Sequence, residues 1–173
     1  MQPWGVAARV VGEEETAIAA NGFEIFWSRE RDRIYRALAL SLSDPQLASE
    51  AVDEAMTRAL ERWSRVGSYD RPAAWVYRVG LNWAISRRRY LSLRPLRRSR
   101  DLERPVWDEL PDIDLGARLA GLRHEYRVAV VLRHFLEFTP AEIAEILDVP
   151  VGTAKSHIHR ALAQLRDHEQ ERT

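Results

Sequence analysis

The sequence predicts an all-α chain made of two small helical domains joined by a linker. Three observations predict it. Apolar residues recur at helical spacing through residues 22–92 and again through 113–170, and no segment alternates apolar and polar with a period of two. Between these stretches, residues 93–112 lose periodicity and hold Pro95, Pro105 and Pro111. The charge changes sign at the same place. Residues 67–100 hold nine arginines against the single acid Asp70, and residues 101–116 hold six acids against the single base Arg104.

The elements follow in order. Residues 1–21 carry Glu13, Glu14 and Glu15, lack a basic start followed by an apolar run, and are expected to be a disordered extension without a secretory signal. Phe23, Phe26, Trp27, Ile34, Leu38 and Leu42 mark one face of a first helix. Ser43-Asp44-Pro45 ends it and starts a second, whose apolar face is Ala48, Val52, Ala55, Met56, Ala59, Leu60 and Trp63. Gly67–Pro72 is a loop, and a third helix is expected from Pro72 to Arg89. These make a domain over 22–92, followed by a linker over 93–112 and a second domain over 113–173. The second domain opens with helices at Ile113–Leu122 and Tyr126–Phe135.

Composition excludes several classes of function. With 46% hydrophobic residues the chain is expected to fold, and no apolar run approaches the roughly 20 residues that span a bilayer. The absence of Cys removes disulfides, thiolate metal sites and a thiol nucleophile. A cytoplasmic, soluble protein with no membrane association is the expectation. No phosphate-binding glycine loop, dinucleotide motif, metalloprotease motif or activated Ser is present, so no catalytic residue and no cofactor is expected. His157 and His159, two apart on a helix, do not face each other, and no metal site is expected there.

Residues 139–166 carry the strongest functional signal. Thr139 is a good N-cap, Pro140 suits the first helical position, and Glu142 completes a capping box. Ile143, Ile146 and Leu147 face inward, Asp148–Gly152 forms a turn, and a second helix restarts at Thr153. Projected at about 100° per residue, Ala154, Ile158, Ala161, Leu162 and Leu165 share one side. Ser156, Arg160 and Ala163 point away from it, flanked by Thr153, Lys155 and His159. A helix-turn-helix offers such a face to the major groove, where Arg meets a guanine edge and Lys or Ser holds phosphate.

The helix beginning at Pro72 carries a second signal. Trp75, Arg78, Asn82, Ser86 and Arg89 fall within roughly 80° of one another, with Val76, Val79 and Trp83 beside them as anchors. An aromatic ring, Arg and Asn on one face suit unstacked bases, and Arg87 and Arg88 add positive charge.

These two blocks, Asp44–Met56 with Pro72–Ala84 and residues 117–166, resemble regions 2 and 4 of the extracytoplasmic-function (ECF) sigma factors of bacterial RNA polymerase. The chain departs from the family pattern at Leu81, Ser86 and His157. The resemblance implies promoter-specific transcription initiation with core RNA polymerase and promoter DNA as partners, and an anti-sigma factor as a further one. It implies that Glu50, Asp53, Glu54 and Arg58 bind the polymerase. Trp75, Arg78 and Asn82, with the 67–72 loop, would melt and capture the minus-ten element. Thr153, Lys155, Ser156 and Arg160 would read the minus-thirty-five element. The alternative is an autonomous dimeric helix-turn-helix regulator, which leaves the acidic helix at 44–62 and the Trp75/Asn82 face without a role.

Overall fold

A thirty-residue helix, α1 (Glu13–Leu42), is the member against which both halves of the chain are built. The structure is a computed structural model that describes residues 13–93 and 113–170. Within them the helices after α1 are α2 (Pro45–Glu61), α3 (Trp63–Val66), α4 (Pro72–Ser92), α5 (Ile113–Ala120), α6 (His124–His134), α7 (Pro140–Leu147) and α8 (Val151–Gln170). No strand occurs among the described residues, in keeping with the all-α expectation. The linker's aperiodic stretch lies largely outside them.

Helix α1 begins inside the segment 1–21 that the sequence assigns to a disordered extension, so its residues 13–21 are helical. Residues 16–20, Thr-Ala-Ile-Ala-Ala, are mostly good helix formers, and the one glycine that follows, Gly22, costs only about 1 kcal/mol. Periodicity, which begins at Phe23, reports burial and not helicity. Two expected core residues also lie outward. Trp27 is 38% exposed and takes the Arg31 guanidinium 5.5 Å from its ring centre, and Leu60 is 52% exposed. Trp63 stands on its own short helix, half-buried, with ring centres 5.3 Å from Phe23 and 4.9 Å from Phe26.

Ser43, at φ 51°, ends α1, and Asp44 caps α2 by accepting a 2.9 Å hydrogen bond from the Leu47 amide. Ala48, Ala51, Val52, Ala55, Met56 and Ala59 bury the α2 face against α1 and α4. Fully burying a side chain such as Met56 or Val52 contributes about 1.5–3 kcal/mol. The small residues set the helix spacing. A Cβ on Gly80 of α4 would lie 3.0 Å from Leu38 Cδ1 and 3.2 Å from the Ala51 carbonyl oxygen, so the close approach requires glycine there. Leu81, where the family pattern has a polar residue, is 2% exposed and belongs to this core.

In the C-terminal half, α6, α7 and α8 enclose Leu132, Ile143, Ala154 and Ala161. Thr139 and Glu142 form the expected capping box: the Glu142 amide donates to Thr139 Oγ1 at 3.3 Å and the Thr139 amide to Glu142 Oε2 at 2.7 Å. The turn that follows is closed by Asp148 in the left-handed region, φ 54°. Gly152 plays no such part and lies in the first turn of α8.

The halves meet along a seam in which a buried polar network is set into the apolar contact of α1 with α6. Arg127 of α6 is 8% exposed. Its Nε donates to the Ser41 carbonyl oxygen of α1 at 2.8 Å, and its Nη1 to the carbonyl oxygens of Ala120, Leu122 and Leu119 at 3.0, 3.3 and 3.4 Å. Those acceptors sit at the C-terminal ends of α1 and α5, where unpaired carbonyls and the helix dipole favour a cation. The Ser41 hydroxyl pairs with the buried Tyr77 hydroxyl of α4 at 2.6 Å, so one residue touches three helices. Burial holds the Tyr77 phenol protonated, far above its ordinary range, against the weaker pull of Ser41 and Arg127.

His124, the first residue of α6, stands beside this seam. Burial pushes its imidazole below the ordinary 6.5, and Arg127 and Arg88 add to the shift, while Glu125 and the Ser41 carbonyl oppose it. The assembled state therefore favours neutral His124. Its stabilising contribution is complete above pH 6.5 and is lost as pH falls from 6.5 toward the lowered value. The urea midpoint is expected to drop between about pH 7.5 and pH 5.5. His124→Gln should flatten that decline; an identical pH profile in the variant would contradict the assignment.

Candidate nucleic-acid interfaces

On α8 the outward chemistry expected from the sequence is in place. Lys155, Ser156, His159 and Arg160 are exposed and Thr153 is half-buried. Ser156 Oγ donates to the Gly152 carbonyl oxygen at 2.9 Å. Arg160 is held in position, its Nη1 donating to the Tyr126 hydroxyl at 3.1 Å. That hydrogen bond lowers the Tyr126 phenol from its ordinary range, against desolvation that raises it and with Arg123 reinforcing the drop. The Arg123 guanidinium lies 5.5 Å from the Tyr126 ring centre, and the His157 ring packs 5.3 Å from it. A tyrosine from α6 thus gathers two arginines at the edge of the outward face. Sequence reading missed Tyr126 and Arg123. Tyr126 falls on the apolar stripe of α6 and is 6% exposed, so only its hydroxyl, invisible to periodicity, marks it.

On α4, Trp75 is half-buried against the core while Arg78, Asn82, Ser86 and Arg89 are exposed. Trp75, Arg78 and Asn82 remain together along one helix face. Trp83 is half-buried and packed against the core with Val79, as anchors should be. Arg87 and Arg88 turn elsewhere. Arg87 Nε approaches Glu50 Oε2 of α2 at 4.0 Å, and Arg88 Nη2 donates to the Leu42 carbonyl oxygen at 3.0 Å. The structure therefore does not bring these two to the Trp75 stripe, because at about 100° per residue they fall on other sides of the helix.

The third cluster lies on the exposed side of α2. Glu54 Oε1 pairs with Arg58 Nη2 at 2.7 Å, and Asp53 Oδ1 with Arg31 Nη2 of α1 at 2.9 Å. With Glu50 these form a largely acidic strip whose charges are partly satisfied by α1 and α4. Such exposed pairs contribute about 0–1 kcal/mol each and leave the strip free to exchange partners. Among the described residues no three His, Asp or Glu side chains gather in a way that could hold a metal.

A family profile described as Sigma-70, region 4, matches residues 113–165. The "RNA polymerase sigma-E factor" of Streptomyces avermitilis is 28% identical over 158 residues, covering 84% of this chain and 83% of that protein. The "ECF RNA polymerase sigma factor SigL" of Mycobacterium tuberculosis is 30% identical over 132 residues, covering 71% of this chain and 75% of that protein. Among solved structures, the sigma factor RpoE from Bartonella quintana, in complex with the anti-sigma factor NepR, aligns with a TM-score of 0.63 at 18% identity. It covers 84% of this chain and 94% of that one. At that identity the likeness shows the fold alone.

Proposed function

The chain belongs to the ECF sigma factors of RNA polymerase and directs promoter-specific initiation, and on that premise we propose how its faces divide the work. Helix α8 reads the minus-thirty-five duplex through Thr153, Lys155, Ser156, His159 and Arg160. Helix α4 takes the unpaired strand of the minus-ten element through Trp75, Arg78 and Asn82, and Arg87 and Arg88, on other sides of the same helix, add positive charge to it. The α2 strip of Glu50, Asp53, Glu54 and Arg58 holds core polymerase. Residues 22–92 act as one domain, extended by the first turns of α1, and residues 113–173 as the other, with 93–112 linking them.

The observation that carries this reading is the separation of two chemically different faces. One is a groove-sized polar strip with its arginine fixed by Tyr126. The other is a half-buried tryptophan flanked by an exposed Arg and Asn on a different helix. Duplex readout needs hydrogen-bonding groups preset on a narrow helix face, and strand capture needs a ring on which a base can stack. Two modest modules held by one large partner gain affinity through effective concentration. A neutral chain, 26 basic residues against 26 acidic, neutralises few phosphates on its own. The autonomous dimeric regulator gives neither the α2 strip nor the Trp75 face a role.

The work is recognition and strand separation, without a catalytic step of the chain's own. No helix among the described residues is long and apolar enough to cross a membrane. We place the chain in the cytoplasm, where polymerase and promoter are. An anti-sigma factor is a further partner, as for the Bartonella relative.

Run-off transcription with core polymerase on a promoter library tests the reading. Promoter-dependent transcripts are expected, and none from any sequence would contradict it. Arg160→Ala is expected to cost about 1–3 kcal/mol of discrimination at the upstream element. An equal loss on all sequences would make Arg160 a phosphate contact. Trp75→Ala should impair strand opening, followed by permanganate reactivity of unpaired thymines, more than it impairs closed-complex binding. Unchanged opening would return Trp75 to a packing role.

A further inference from the structure

Tyr126 of α6 holds an arginine on each side. Its hydroxyl accepts from Arg160 Nη1 of α8 at 3.1 Å, and the Arg123 guanidinium lies 5.5 Å from its ring centre. The ring is fixed in place: Tyr126 is 6% exposed, and the His157 ring packs 5.3 Å away at 53°. Both arginines are exposed. Among the described residues neither pairs with a carboxylate, whereas Arg31, Arg33, Arg58, Arg71 and Arg87 each do. Arg123 is also ill-suited to its place in the fold. It occupies the N-cap of α6, makes no side-chain capping bond, and sets a cation at the positive end of a helix dipole. Two uncompensated like charges on one phenol cost stability, and an anion beside them removes that cost.

We propose that Tyr126 is a positioning residue for the upstream element: its hydroxyl presets Arg160 for one base edge, and its ring holds Arg123, outside the recognition helix, against a phosphate of the same duplex. This deepens the assignment of α8 to duplex readout and rests on it. A guanidinium carries five N–H groups, and Arg160 spends one on Tyr126, which leaves the rest of its fork for the two acceptors of a guanine edge. An untethered arginine loses rotamer freedom when it binds; here that loss is taken during folding. A tethered guanidinium also cannot swing to a phosphate when the base is wrong, so the tether raises discrimination and not affinity alone. Arg123 meets the ring instead, by a cation–π contact that sets its distance more than the direction of its N–H groups. That suits the diffuse charge of a phosphate. Each strand of a duplex carries a phosphate about every 3.4 Å of axis, so a strand passing Arg160 brings one to Arg123, a single ring away. Neither α8 nor its helical projection contains this second prong, which enters from the residue before α6.

The test uses the full chain with core polymerase on a promoter chosen by run-off. Closed-complex affinity is measured for the chosen upstream element and for each single base-pair substitution in it, at several salt concentrations. Arg160→Ala identifies the base pair that Arg160 reads. Tyr126→Phe keeps the ring and removes the hydroxyl, and it is expected to cut discrimination at that base pair by about three- to tenfold. The other positions should keep theirs to within about twofold, and adding Tyr126→Phe to Arg160→Ala should cost less than about a further twofold. Arg123→Ala is expected to weaken binding to every element alike and to reduce the salt slope by about one. Arg123→Lys should restore that slope, whereas Arg160→Lys, which lacks the planar fork, should not restore discrimination. A Tyr126→Phe profile identical to wild type, or lowered equally at every position, overturns the proposal, as does an equal loss on all elements from Arg160→Ala. An unchanged salt slope in Arg123→Ala overturns the phosphate contact. Failure of the wild-type chain to give promoter-dependent run-off is a separate result; it overturns the sigma-factor reading and this inference with it.

Discussion

A single buried guanidinium fixes how the two halves of this molecule stand. Arg127 cannot lose its charge in a protein, so its burial is tolerable only where acceptors surround it. It finds four carbonyl oxygens, one from the end of α1 and three from the end of α5 and the turn after it. The Leu119 carbonyl also accepts from the Leu122 amide at 3.0 Å, and the others stand at a helix end or in the turn after it, where an arginine can satisfy them. A lysine offers a point charge in place of a planar fork and would not meet both sets. From this contact follow the placement of α6 on α1, the approach of α7 to α4, and the pairing of Arg71 with Glu142.

The other polar contacts of the seam are cheap to break. Arg33 Nη2 reaches the Phe135 carbonyl oxygen at 3.4 Å, near the limit of a hydrogen bond, and the Arg71–Glu142 pair is open to solvent. Tyr77 and Ser41 stiffen the N-terminal side without crossing to the other half. The apolar interiors of the two halves run together, Met56 and Tyr77 of one belonging to the same buried cluster as Leu132 and Ile143 of the other. Opening the seam therefore exposes apolar surface between α1 and α6 as well as these polar groups.

Much of this was legible in the sequence, because the signals were local. Thr139-Pro140 and Glu142 announce a helix start through hydrogen bonds that span three residues, and Asp44-Pro45 does the same. The outward strip of α8 and the Trp75, Arg78, Asn82 stripe follow from helix geometry alone. What escaped depends on residues distant in sequence. Arg127 reads as a charge inside an apolar stretch, and nothing nearby shows that one of its acceptors lies 86 residues away at Ser41. The directions of Arg87 and Arg88 escaped because charge composition carries none; Glu50 and the Leu42 carbonyl decide where they point. Residues 13–21 fall outside the first domain on a reading of periodicity, which starts at Phe23, although α1 includes them.

The central claim is that the free chain is held shut at the Arg127 seam and is opened by the polymerase. The chain has no cysteine, so spin labels can be placed at exposed Ser86 and Gln164 through cysteine substitutions without background. Pulsed dipolar spectroscopy between them reports the α4–α8 distance. The account predicts one narrow, short distance in the free protein and a single longer one in the complex with core polymerase and promoter. A free chain already spread over long distances, or a short distance unchanged in the promoter complex, would contradict it.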